Sequence, residues 1–250
     1  MRLVVVLRLL VIAGLIGLVE MLCRMGVIDN FTMPPPSRIG ADLWRLLASG
    51  KFNGAIGKTL SNAALAFFLA VSIGMLAGVV IHRIASIRAA LDPFFATYYA
   101  VPVLAFYPLL IILFGLGDAP KIIIAFMLGV VAVIVNTLNG LDRVPKVLLK
   151  TARMARMGWF ETANKITLPS AAPFVLTGVK FAVAYALIGI IGSEFILSTE
   201  GVGFEIAFAY NNFDNATMYP LILLVMTVSI TVNMLLGMWE KRLLQRRGLR

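Results

Sequence analysis

Six long apolar stretches, separated by short polar or basic ones, dominate the chain. They run from about Leu3 to Leu22, Thr59 to Ile81, Pro93 to Phe114, Ile122 to Leu141, Pro173 to Phe195 and Tyr219 to Trp239. Each approaches the roughly 20 residues that an α-helix needs to cross the hydrocarbon of a bilayer. A membrane interior has no water to bond a free peptide group, so apolar runs of this length predict helices. The fold class expected is all-α: a polytopic membrane protein with six transmembrane helices. Pro102 and Pro108 fall inside the third stretch and predict a kink there. Gly74 and Gly78 form Gly-x-x-x-Gly in the second, a face for close helix contact. The first stretch is expected to remain as a helix rather than be cleaved as a signal peptide. It is long, it carries Arg8, and no small-x-small site ends it.

Two polar segments have a pattern of their own. After the first stretch, Pro34-Pro35-Pro36 makes a stiff entry, and Ser37 is placed to cap a helix beginning near Arg38. Ile39, Leu43, Leu46 and Leu47 then recur at helical spacing. This predicts a short amphipathic helix on the membrane surface or packed on the second span. The second segment, Val144 to Leu168, is too polar to span and too periodic for a random linker. Ala152, Ala155 and Trp159 fall on one helical face, with Lys150, Arg153 and Arg156 as a neighbouring basic stripe. Gly158 interrupts the helix, allowing a turn or a close backbone approach. Ile166, Thr167, Leu168 and Pro169 follow, the proline closing the segment before the fifth span. Such a helix–turn–helix suits docking to a protein; it equally suits anionic lipid.

Composition excludes a water-soluble domain. The chain is 60% hydrophobic and 14% charged, with a mean hydropathy of +0.95. Soluble domains average about 25% charged residues. The formal net charge of +10 does not point to nucleic acid, because the cations cluster at the ends of the apolar runs, where they meet anionic headgroups and set orientation. His82, Arg83 and Arg88 follow the second span. Arg143, Lys146, Lys150, Arg153, Arg156 and Lys165 follow the fourth. Lys241, Arg242, Arg246, Arg247 and Arg250 follow the sixth. With six spans these fall on one side together with Arg2, so that side, and both termini, are expected to be cytoplasmic. The last outer loop carries Glu200, Glu205 and Asp214 without a cation. Arg38, Arg45 and Lys51 in the first outer loop run against the rule and are outvoted.

Catalytic chemistry is not indicated. Cys23 is the only cysteine, so one chain builds no disulfide, zinc cluster or iron–sulfur site, and it reads as an inert helix-end residue. His82 is the only histidine, and no metal or acid–base constellation accompanies it. The chain has no Gly-x-x-x-x-Gly-Lys-Ser/Thr loop to hold ATP. Polar groups in the spans remain as pathway or gate candidates. Asn136 and Asn139 either cap the fourth span or line an inner gate. Ser229 and Asn233 share one face of the sixth span, with Thr227 and Thr231 nearly opposite, so some of the four are interhelical glue. Glu194, at the outer end of the fifth, either bonds outer-loop backbone or acts as a gate. Lys180 is expected to snorkel from the same span as an anchor.

The stretch from Gly158 to Ile166-Thr167-Leu168-Pro169 resembles the "EAA" loop of binding-protein-dependent ABC importer permeases. Ala152, Arg153 and Met154 stand where that pattern has Glu-Ala-Ala. Other segments resemble the nitrate/sulfonate/taurine branch in the same order: Pro34-Pro35-Pro36-Ser37 with Gly50-Lys51-Phe52 and Thr59-Leu60; Leu91-Asp92-Pro93, Pro102, Pro108-Leu109 and Phe114-Gly115-Leu116-Gly117; and Ser193-Glu194 with Glu200-Gly201-Val202-Gly203. The resemblance implies a non-catalytic permease subunit in a bacterial inner membrane. Its loop, Ala152, Arg153, Ala155, Arg156, Gly158, Trp159, Ile166, Leu168 and Pro169 included, would be a coupling element seated in a separate ATPase. ATP and magnesium would be bound by an ATPase dimer and not by this chain. A second permease chain, in a likeness of two bundles that rock about one pathway, an extracytoplasmic substrate-binding protein and lipid complete the expected partners. Residues 1–58 would form the first helix and outer loop, 59–240 a five-helix core with the coupling loop at about 142–169, and 241–250 a basic tail. The solute would be sulfonate-, nitrate- or taurine-like, or a small heterocycle. The alternative, an ion-driven secondary transporter, calls for an internal repeat that the two halves do not show.

Overall fold

The computed structural model describes residues 2–29 and 31–246, and the side chains of residues 6–29 and 31–242. Of the expected tail, Arg247 and Arg250 lie outside the described residues. The described chain is helical: α1 (Arg2–Arg24), α2 (Pro36–Ser49), α3 (Asn53–Arg83), α4 (Ala85–Tyr98), α5 (Tyr107–Phe114), α6 (Asp118–Asp142), α7 (Lys146–Met154), α8 (Trp159–Thr162), α9 (Leu168–Leu197), α10 (Val202–Asn211) and α11 (Asn215–Arg246). Among the described residues five stretches are long and apolar enough to cross a membrane: α1, α3, α6, the run Trp159–Leu197, and α11.

The third apolar stretch differs from expectation. It is not one kinked helix but two pieces, Ala85–Tyr98 and Val103–Phe114, bent by 93°. Pro102 stands at the break, before a 3₁₀ turn. Pro108 does no kinking, because it occupies the first turn of α5, where its missing N–H has no intrahelical partner to lose. As one broken span the pair makes a sixth crossing. The fifth span likewise starts earlier than expected. Pro169 does not close the segment: α8 runs through a π-turn, Ala163–Thr167, directly into α9, with Pro169 in its first turn. Pro169 offers no N–H to the Lys165 carbonyl, and the turn before it is the widened one.

The α3, α6 and α9 helices form the core. Lipid gives no hydrophobic drive for helices to associate, so contact depends on close approach at small residues. Gly74 and Gly78 do this on α3. A Cβ on Gly74 would lie 2.7 Å from Val133 Cβ, and one on Gly78 would lie 2.8 Å from Thr137 Cβ, both on α6. Ala63, Ala66, Ala125 and Ala186 continue the small-residue packing toward the other end of the three helices.

The amphipathic helix exists, but its anchoring was misjudged. α2 begins at Pro36, and Ser37 caps nothing within it. Instead Ser37 turns to α1: its hydroxyl lies 2.7 Å from Glu20 Oε1, and its N–H donates to Glu20 Oε2 at 2.9 Å. A carboxylate from another helix thus satisfies a free amide of the first turn. α2 packs on α11, not on the second span. Leu46 and Phe52 join Val202, Ile206, Leu221 and Met218 in one cluster. Cys23 is buried at the end of α1, with Sγ 3.7 Å from the Met33 carbonyl.

The close approach of α3 to α6 makes Gly74→Leu an overpacking change that should cost about 1–3 kcal/mol. Gly14→Leu is the control, since nothing lies within 4 Å of its Cβ position. Thermal unfolding in detergent should show a lowered midpoint for the first and little change for the second.

Candidate functional site

The polar groups gather at the two ends of the bundle. At the end bearing the basic loops, α6 terminates in Asp142, an acid where the helix dipole disfavours one. Arg88 of α4 compensates, reaching the two carboxylate oxygens at 3.0 and 2.7 Å, while His82 Nε2 at the end of α3 lies 3.2 Å away. This ties three helix ends together where the loop departs.

The loop itself is two short helices around a turn. α7 buries Ala152 against its own chain and stops at Met154. The Met157 N–H bonds the Ala152 carbonyl at 2.9 Å and the Arg156 N–H bonds the Arg153 carbonyl at 3.1 Å. This is a Schellman closure, and its left-handed residue is Arg156, at φ 51°. Gly158, expected to supply the turn's unusual backbone, does not. It has φ −65° and ψ 165°, at the start of α8, and nothing lies within 4 Å of its Cβ position. Nor do Ala152, Ala155 and Trp159 share one helical face, because the helix ends between them. Ala155 and Arg156 belong to the turn, and Trp159 opens the next helix. Trp159 is 67% exposed, its ring held under the Arg83 guanidinium at 4.6 Å. Arg153, Ala155, Arg156 and Leu168 are exposed, and Ile166 and Pro169 are half-buried. Beneath the loop, Val79, Arg83, Leu149, Trp159 and Leu168 are among the walls of a cleft of about 430 Å³.

At the opposite end Glu194 is 1% exposed. Thr59 Oγ1 of α3 lies 3.0 and 2.8 Å from its two oxygens, and the Gly203 N–H donates to it at 3.0 Å. The Val202 N–H in turn donates to Thr59 Oγ1 at 2.8 Å. Close packing makes glycine necessary here: a Cβ on Gly201, at φ +104°, would lie 2.2 Å from the Glu194 carboxyl carbon. The carboxylate therefore pins the first turn of α10 onto α9 and α3. Of the sequence readings of Glu194, its contacts are those of a carboxylate bonding backbone beyond the fifth span, here at the start of α10.

Next to it is an ion cluster that the sequence reading missed. Lys58 Nζ lies 2.6 Å from Asp118 and 3.2 Å from Glu200. Lys121, 1% exposed, lies 3.1 Å from Asp118, and Asn62 donates to Asp118 at 2.8 Å. The available signal was complementary charge at the same end of adjacent spans: Lys58 before the second, Asp118 and Lys121 before the fourth, Glu200 after the fifth. Lys180 has a partner that its own span does not announce: it pairs with Glu240 of α11.

The remaining pathway candidates separate. Ser229 and Asn233 meet in one cavity of about 280 Å³ between α9 and α11, with Val183, Leu187, Ile188 and Val225 among its walls. Asn136 does not face it. Its amide donates to the Ala132 carbonyl at 2.8 Å, and its Cβ occupies the α6–α9 crossing opposite Gly178. Asn139 is exposed, and neither asparagine caps α6, which runs on to Asp142. Thr227 bonds its own helix at Leu223 O and Thr231 is exposed, so neither is interhelical glue within this chain.

Glu194→Ala removes the acceptor for Thr59 and for the Gly203 amide in a buried setting. A buried donor left without a partner costs about 1–3 kcal/mol. Amide exchange at residues 198–203 should accelerate, with Glu194→Gln milder because it keeps shape and one acceptor. Unchanged protection in the alanine variant would mean that other contacts hold the segment.

The chain matches the family model described as "Binding-protein-dependent transport system inner membrane component" over residues 70–247. A transport permease of Bacillus subtilis (strain 168), by its name for aliphatic sulfonates, is 28% identical over 96% of this chain and 87% of that one. A nitrate import permease of Leptolyngbya laminosa is 25% identical over 91% and 84% of the two chains. A riboflavin transport system permease of Chloroflexus aurantiacus is 27% identical over 86% and 80%. Among solved structures, an inward facing conformation of the MetNI methionine ABC transporter superposes with a TM-score of 0.65 at 15% identity, over 76% of this chain and 94% of that one, a likeness of fold. Matched over well more than half its length, this multi-pass chain belongs to the binding-protein-dependent transport system inner membrane component family, as the permease subunit of an ATP-driven ABC importer.

Proposed function

We propose that the loop from Asp142 to Pro169 is the surface through which a separate ATPase drives this permease, and that the basic end of the bundle is cytoplasmic. The observation that carries this is the exposure of the loop's outward side chains: Val147 is 71%, Met154 86%, Trp159 67% and Phe160 74% exposed. They stand on a loop braced from behind by Ala152, Arg83 and the Asp142 cluster. Apolar side chains this open, on a rigid support, are characteristic of a partner surface. The position that carries glutamate in the resembling pattern is Ala152, which is buried, so the contact here is made by its neighbours.

The ATP and magnesium belong to the partner, as an ATPase dimer, and a second permease chain completes the pathway. Alternating access then follows from rocking of two bundles. Both termini are cytoplasmic on this reading, in a bacterial inner membrane, and the substrate-binding protein meets the end pinned by Glu194. The α9–α11 cavity is the piece of pathway wall that this chain contributes, with Ser229 and Asn233 as its polar contacts. The relatives' names support a small solute: sulfonates, nitrate, taurine or riboflavin. A hydroxyl and an amide suit hydrogen-bonding groups, and no charged side chain lines that cavity.

Single-cysteine labelling tests the orientation and the loop together. In a Cys23→Ser background, Trp159→Cys should resist an impermeant maleimide in intact cells and react once the cells are opened. The loss of that reactivity when the ATPase is bound marks the contact. Strong labelling from outside intact cells would overturn the reading.

A further inference from the structure

Resting on the reading of this loop as the ATPase contact, we propose that the cleft receiving it is acidic, with an apolar pocket for Met154. Residues 143–169 carry Arg143, Lys146, Lys150, Arg153, Arg156 and Lys165 against a single acid, Glu161. Lys165 already holds Glu161 at 2.6 Å, and Arg143 lies over the Phe174 ring at 4.9 Å. Among the described residues, Lys146, Lys150, Arg153 and Arg156 pair with no carboxylate. At 100° per residue, Lys146, Val147, Lys150 and Met154 share the side of α7 turned away from buried Ala152, and Arg153 flanks them. Lys146 and Lys150 stand four residues apart, as a like-charge pair that disfavours an isolated helix. A carboxylate-lined cleft removes that repulsion and gives the cations their partners.

Anionic lipid would also neutralise the cations, but the placement of apolar residues argues against it. A helix lying on a bilayer sets its apolar face into the acyl boundary and leaves cations on the other. On the apolar side of α7, Ala152 is buried and Leu149 half-buried against its own chain, which leaves only Leu148, 41% exposed, on that side. The cations project outward around Val147 and Met154, a mixed ridge that fits a shaped polar cleft with a pocket. Arg156 is held in a left-handed backbone by the Schellman closure, which fixes where its guanidinium leaves the chain.

The test uses the full chain in nanodiscs of phosphatidylcholine, with the ATPase that co-purifies with it and carries a phosphate loop. The measurement is the dissociation constant for re-binding that ATPase at low and high salt. Unaltered chain should bind more weakly as salt rises, because exposed charge pairs are screened. Lys150→Glu with Arg153→Glu should weaken binding on the order of tenfold or more, and Lys150→Gln with Arg153→Gln by less. Arg156→Gly keeps the backbone and removes one cation, so it should weaken binding modestly. Met154→Cys, in the Cys23→Ser background, should cross-link to the ATPase beside an acidic residue. A Met154→Cys cross-link with no dependence on salt or on the charge variants would overturn the acidic cleft while leaving the loop as the contact. Absence of both cross-link and charge effects would overturn the two readings together. Charge effects that appear only when phosphatidylglycerol replaces part of the lipid would assign the ridge to the membrane and overturn the proposal.

Discussion

Every polar group placed in the hydrocarbon must find its partner inside the protein, because lipid supplies none. That constraint accounts for most of what this chain does between its two ends. The backbone closes into helices. Several hydroxyls and amides of the spans turn back on their own helices: Ser193 on Gly189 and Ile190, Thr177 on Pro173, Asn136 on Ala132, Thr227 on Leu223; Thr137 of α6 is the exception, its buried hydroxyl bonding no group among the described residues. Most charged groups, Arg8 of α1 excepted, lie toward the ends, where several serve as clamps. Arg88, His82 and Asp142 tie one end. Lys58, Lys121, Asp118 and Glu200 tie the other.

The two clamps support different jobs. The cluster at Asp142 fixes the ends of α3, α4 and α6 beneath the α7–α8 loop; on the proposed reading of that loop, force applied to it would reach the core helices rather than be absorbed by a flexible linker. At the opposite end Glu194 and Thr59 hold the first turn of α10 against α3 and α9. Movement of α9 relative to α3 would have to carry or break that contact. Because α9 leads directly out of the loop through the Ala163–Thr167 π-turn, one helix joins the two ends. A π-turn is a common point of adjustment in a helix, and it lies between Trp159 and the membrane-crossing part of α9.

The spans were legible in the sequence because hydropathy reports directly on the solvent a helix meets. The Gly74–Gly78 face was legible too, because small residues at that spacing leave room for another backbone. What the sequence did not reveal was geometry between segments. Proline at position 102 predicted a bend without its size. Ser37 has the chemistry of a cap, yet a carboxylate 17 residues earlier, near the end of α1, takes its hydroxyl and amide, and nothing local announces Glu20. Gly158 looked like the left-handed residue because glycine tolerates that backbone most easily, whereas the helix closes two residues earlier on Arg156. The loop's basic character was visible from composition, but the burial of Ala152 and the outward face of Met154 depend on which way α7 docks. Ser229 and Asn233 were paired by helical spacing alone, since both lie on one face of one helix and line one cavity; Asn136 and Asn139 do not cap α6, because it continues past them to Asp142.

On the proposed reading, transport by this chain is driven by nucleotide hydrolysis on another chain and delivered through the α7–α8 loop. Its most direct measurement is uptake into proteoliposomes containing the purified permease with or without its ATPase, in the presence of the binding protein loaded with its solute. The account predicts accumulation only when the ATPase and ATP are both present, with no response to a proton or sodium gradient. Accumulation by the permease alone, driven by an ion gradient and indifferent to ATP, would contradict it.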